Sequence, residues 1–213
     1  MASIDHARAL YDDVVESSTE RSADQLAREL RARAEEVRGE KIAGTRGKVA
    51  EILGSASPED REDAAKKLED AAKDIGTVFQ GASPEFRKLE GDTAGEAQLE
   101  SSVIRIDPTK IVSEDGEMID RRKAEDILEH EKEHTQQSSV ADATGITIGA
   151  QKFDARQIRE AAAISVQDHI DFLSDEYRSI AQRLTMDAAD RELVRKGRFK
   201  ALEARKNHVA LAA

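Results

Sequence analysis

The chain has 213 residues, 38% hydrophobic and only 3% aromatic, with 33 basic against 44 acidic side chains and a net charge of −11. That length allows one sizeable domain, or a compact domain with a helical extension, and the negative balance argues against nucleic acid or an anionic membrane as the main partner. The absence of cysteine excludes disulfides and thiolate metal sites, so any metal must be held by imidazole and carboxylate.

Residues 1–92 read as helical throughout. Ile4, Ala7, Leu10, Tyr11, Val14 and Val15 recur at helical spacing, and Leu26, Leu30, Ala34 and Val37 continue the pattern. Gly39, Gly44 and Gly47 predict a break before Val49, Ile52 and Leu53. Ser57-Pro58-Glu59 and Ser83-Pro84-Glu85 each offer a capping Ser, a Pro at the first helical position and an early acid, so each predicts a helix start. With so few aromatics, the core is expected to be small and built from Ala, Leu, Ile and Val. This N-terminal region is read as a support, a partner-binding module or an inhibitory one.

Gly91 to Glu100 reads as a linker. Val103-Ile104-Arg105-Ile106 is β-prone and ends at Asp107-Pro108, while Ile111-Val112 and Met118-Ile119 flank a turn signal at Glu114-Asp115-Gly116. A strand here could line a cleft and pair with an extended peptide through its edge. Asp120 is the expected cap of the next helix, whose stripe of Ala124, Ile127 and Leu128 runs into Glu131, His134 and Thr135. Beyond it, Gly145-Ile146-Thr147-Ile148-Gly149 is a glycine-bounded loop or strand. One helix is expected over about 155–184, with Ile158, Ala161, Ala162, Ser165, His169, Phe172 and Leu173 on one side. A last helix runs from about Ala188, carrying Leu193, Val194, Phe199, Leu202 and Val209.

The helix after Asp120 contains His130-Glu131-Lys132-Glu133-His134, an H-E-x-x-H. Residues four apart share a helix face, so both imidazoles can grip one cation, with Glu131 beside its open position as general base. Buried polar side chains need partners, and a metal satisfies two imidazoles at once. A catalytic zinc site takes a third protein ligand. Gln137 and Val140 occupy the positions where a metzincin would carry Gly and His. Glu160, beside Ala161 and Ala162, is the leading candidate, with Asp154, Asp168 and His169 as alternatives. Asp168, Asp171 and Asp175 are candidates to support the imidazoles, and His169 or Tyr177 to stabilise an oxyanion.

H-E-x-x-H followed by a Glu on a later helix resembles the gluzincin class of zinc metallopeptidases. The stretch from Ile106-Asp107-Pro108 through Asp120-Arg121-Arg122 to Gln137 resembles the minigluzincins and the metallopeptidase-like domain associated with contractile injection systems. Their helix reads L-x-H-E-x-x-H-x-x-Q, matched by Leu128, His130, Glu131, His134 and Gln137. The likeness covers roughly residues 101–175. Lys132 and Glu133 depart from it, since relatives often carry an apolar residue there, and they predict a shallower, wetter helix. The expected fold is α+β and mostly helical: a helical region over 1–92, read from its apolar spacing, then, as the resemblance implies, a zincin-like metallopeptidase domain over 93–213 with a small sheet and an active-site helix. The resemblance also implies one zinc ion, a peptide or protein substrate, and His130, His134 and Glu160 as ligands. The alternative is a weak or inactive metal-binding scaffold that docks on a partner assembly through its helical half. No signal peptide or membrane span is read, so a cytoplasmic location is expected, with signal-independent export left open.

Overall fold

The computed structural model describes residues 2–16, 19–39, 48–113, 118–139, 145–167 and 175–212. The fold is α+β and mostly helical, and the chain divides into two compact units: Met1–Glu96 with Arg105–Glu125, and Ala97–Ile104 with Asp126–Ala213. Among the described residues, no helix is long and apolar enough to cross a membrane.

The first unit contains α1 (Ala2–Val15), β1 (Arg21–Ser22), α2 (Ala23–Arg38), α3 (Lys48–Ser55) and α4 (Pro58–Val78). The apolar stripes read from the sequence are the buried faces: Leu26, Leu30, Ala34 and Val37 on α2, and Ala64, Ala65, Leu68 and Ala72 on α4. Ser57 caps α4 by accepting from the Asp60 N–H at 3.1 Å, with Pro58 in its first turn. The expected glycine break at Gly44 and Gly47 lies outside the described residues; α2 ends at Gly39.

Ser83-Pro84-Glu85 does not start a helix. Glu85–Phe86 is strand β2, antiparallel to β1 and parallel to β4 (Ile104–Ile106) in a small sheet of order β1-β2-β4-β3, where β3 is Gly95–Ala97. The cause is Phe86, which is buried edge-on against Phe79 with ring centroids 5.0 Å apart. Only a strand lets so short a segment bury one ring and still pair its backbone. Residues 1–92 are therefore not helical throughout. The core is built largely from Ala, Leu, Ile and Val, as composition suggests, with Tyr11, Phe79, Phe86, Phe153 and Phe199 also fully buried.

Strand β4 forms where the β-prone run predicts it, and Asp107 closes it. Its buried carboxylate accepts from the Leu89 N–H at 3.0 Å, the Thr109 N–H at 2.9 Å and the Thr109 hydroxyl at 2.7 Å. Because β4 lies between β2 and β3, both its edges are taken and it cannot receive a peptide strand. Val112 and Ile119 form one antiparallel bridge; the turn between them falls outside the described residues.

The second unit holds most of α5 (Arg121–Gln136), the hairpin β5 (Ile146–Ile148) and β6 (Gln151–Phe153), then α6 (Ala155–Ile164), α7 (Asp175–Arg183), α8 (Ala188–Arg195) and α9 (Phe199–Ala212). Ile146, Phe153, Ile158, Leu184, Val194 and Phe199 form its core. The single helix expected over 155–184 ends at Ile164, where the Ser165 N–H closes the last turn on Ala161 and Ala163. The C-terminal helix is two helices parted at Gly197, whose φ of 64° lies in the left-handed region.

Gly145 enters the hairpin at φ 70°, and a Cβ there would sit 2.1 Å from the Phe153 carbonyl oxygen. Gly149 also has positive φ, at 61°, but open space around it. Gly149→Ala should cost only the left-handed penalty of about 1–2 kcal/mol. Gly145→Ala should cost clearly more, because backbone must move as well. Urea unfolding of both variants checks the order.

Candidate metal centre

Asp120 starts α5 as expected: its carboxylate accepts from the Lys123 N–H at 3.0 Å. Ala124, Ile127 and Leu128 are buried, and this phase brings Glu131 and His134 toward the same side, while Glu133 is buried on the opposite face. The C-terminal half of α5 is pinned within its own unit. Glu133, 2% exposed, takes two hydrogen bonds from the Arg195 guanidinium, at 3.1 and 2.6 Å. Just beyond the helix, the Ser138 N–H donates to the Arg195 carbonyl at 2.9 Å, and the Ser138 and Ser139 hydroxyls donate to Glu100 at 3.0 and 2.7 Å. The expectation of a shallower, wetter helix fails at Glu133. A buried charge tolerates that position because Arg195 meets it with paired donors.

Helix α6 brings the third group. Asp154 is its N-cap, accepting from the Gln157 N–H at 2.8 Å in a reciprocal capping box. This fixes the phase of α6, buries Ile158, Ala161 and Ala162, and turns Glu160 toward the imidazoles. Asp154 is thereby occupied as a cap. Asp154→Ala should cost about 1 kcal/mol of stability and, with all three candidate ligands still in place, lower cation affinity far less than loss of a ligand does, read by chemical unfolding beside a metal titration.

The geometry is compact. His130 Nε2 and His134 Nε2 lie 3.0 Å apart, and a Glu160 Oε2 lies 3.4 Å from the first and 3.6 Å from the second. The three side chains retain 13%, 12% and 22% exposure, so they are largely withdrawn from water but reachable. A tetrahedral zinc with ligands at 2.0–2.1 Å sets its ligand atoms roughly 3.3 Å apart, and the three observed separations bracket that edge. Among the described residues, His130, His134 and Glu160 form the one group of histidines and acids placed to hold a cation. The donor set, two imidazoles and a carboxylate, suits zinc and other borderline divalent ions.

The electrostatics match. Burial would raise the Glu160 carboxyl, but hydrogen bonds and charge from His130 and His134 outweigh it and hold the group well below the usual carboxylate range. Burial would lower His134, yet Glu160, then Gln137 and the Glu131 charge, carry it upward. Glu131 is buried and close enough to His134 to contribute to that shift.

Of the remaining candidates, Asp168, His169 and Asp171 lie outside the described residues. Asp175 is an exposed partner of Arg178, so it does not support the imidazoles. The Tyr177 hydroxyl accepts from Arg156 at 3.2 Å. The support the sequence reading missed is Gln137: His134 Nδ1 lies 3.0 Å from its Oε1, and its Nε2 donates to the Arg159 carbonyl at 3.1 Å. Its spacing of three from His134, on one helix face, was the available signal. Comparison with protein-family models, curated proteins and solved structures finds no match for this chain.

Proposed function

We propose that the protein is a zinc-dependent peptidase of gluzincin type. His130, His134 and Glu160 would hold the ion, and Glu131 would act as general base. The observation that carries the reading is the convergence of both Nε2 atoms and one carboxylate oxygen at 3.0–3.6 Å, with a buried glutamate one residue from the first ligand. The intact H-E-x-x-H, with Glu131 buried next to the first ligand, favours the enzyme over a metal-binding scaffold.

When bound, the ion would acidify water and polarise a peptide carbonyl. The Glu131 carboxylate accepts the proton of the attacking water and returns it to the departing amine nitrogen. Glu160 supplies negative charge beside the two rings. His169 or Tyr177 would donate to the oxyanion.

Elemental analysis of the protein as isolated, with a peptide-library cleavage assay run with and without chelator, tests this reading. Stoichiometric zinc with chelator-sensitive cleavage supports it. Stoichiometric zinc without cleavage, after removal of either terminal segment too, would replace it with the scaffold reading. Absence of any bound ion would leave the motif an ion-paired helix end.

A further inference from the structure

We infer that Gln137 is a positioning residue that sets the tautomer of His134, so that the Nε2 lone pair is presented to a cation before one arrives. The inference deepens the metal reading proposed above and rests on it. Gln137 is fully buried just past the end of α5, and its side chain makes two bonds in opposite directions. On one side lies the carbonyl oxygen of Arg159, at 3.1 Å. A carbonyl only accepts, so the amide atom facing it must be the NH2. The amide oxygen then faces His134 Nδ1 at 3.0 Å. That oxygen cannot donate, so Nδ1 carries the hydrogen. In a neutral imidazole the other nitrogen is then bare. The bare atom, Nε2, is the one that faces His130 and Glu160.

The same amide ties two elements together. The Arg159 carbonyl belongs to the peptide that carries Glu160, so Gln137 links the ring on α5 to the backbone of the third ligand on α6. His130 has no such support: its Nδ1 is buried and without a hydrogen-bond partner among the described residues. The tautomer set by Gln137 therefore presets His134, and not His130, for ligation.

The test uses the full chain, stripped of metal and labelled with ¹⁵N, at a pH where both rings are neutral. Long-range ¹H–¹⁵N spectra report each tautomer directly, first without and then with added zinc. The wild type should show His134 protonated at Nδ1 both before and after zinc addition. Gln137→Met keeps length and burial but removes both hydrogen bonds; it should release the His134 tautomer and weaken zinc binding about 10–100-fold. Gln137→Glu keeps an acceptor facing Nδ1 but sets its second oxygen against the Arg159 carbonyl, so it should hold the His134 tautomer while lowering stability, a split that a purely packing role would not give. His134 protonated at Nε2 in the wild type, or Gln137→Met binding zinc as tightly as wild type, would overturn the assignment. Should the wild type bind no zinc, the metal reading fails, and the metal-free spectra still decide whether Gln137 sets the ring.

Discussion

His134→Ala should abolish stoichiometric zinc, and Glu160→Ala should weaken it by more than the 10–100-fold typical of losing an outer-shell partner. Each substitution removes one of three side chains whose donor atoms lie 3.0–3.6 Å apart, leaving two protein ligands for the ion. The two losses differ in kind. Without His134, the Glu160 charge remains beside a single ring, and Gln137 loses its partner while staying bonded to Arg159. Without Glu160, the rings lose the carboxylate in contact with both, and only the Glu131 charge near His134 still favours a cation there. Thermal unfolding reads the same event independently. A ligand that binds only the folded state at a hundred times its Kd adds about 2.7 kcal/mol. Zinc should therefore raise the Tm of the wild type and leave that of His134→Ala unmoved. A variant lacking His134 that still carries one tightly held ion would place the ligands elsewhere.

How far the sequence leads depends on whether a feature is local. The pairing of His130 with His134 follows from helix periodicity alone, and so does the cap at Asp120. Glu160 is harder, because periodicity says which way it points on α6 but not what stands opposite. The capping box at Asp154 and the small Ala161 and Ala162 are what let α6 approach, and only the fold turns them into a distance. Identical local signals also part company. Ser57-Pro58-Glu59 opens α4 because an apolar face at helical spacing follows it for several turns, whereas Ser83-Pro84-Glu85 is followed by little more than Phe86 and Leu89. There the aromatic pair decides, and propensity yields to packing. Strand β6 has one buried residue, Phe153, and the break at Gly197 one glycine, so neither carries a periodic signal. Glu133 is the sharpest case: its acid reads as solvated until Arg195, 62 positions on, is seen to meet it. The role of Gln137 likewise depends on a backbone carbonyl, a group every residue has and no sequence pattern marks.

Glu131→Gln should lower peptide hydrolysis by about 10²–10⁴-fold, the usual contribution of a positioned acid–base group, while zinc remains bound at wild-type stoichiometry. The substitution separates holding an ion from using it. Glutamine has the same shape, so the buried position is filled and α5 keeps its phase. What it loses is the ability to take a proton from water and give it back to an amine. It also loses a negative charge near His134, one of the influences that raises that ring. The same charge favours a cation at the rings, so zinc affinity should fall modestly while the stoichiometry holds. Loss of turnover with the ion retained is a combination that neither a scaffold nor a disrupted fold produces. In a scaffold there is no turnover to lose, and in a disrupted fold the ion goes first. Full activity in Glu131→Gln would remove Glu131 from the reaction, and loss of the ion in that variant would make Glu131 a ligand instead of a base.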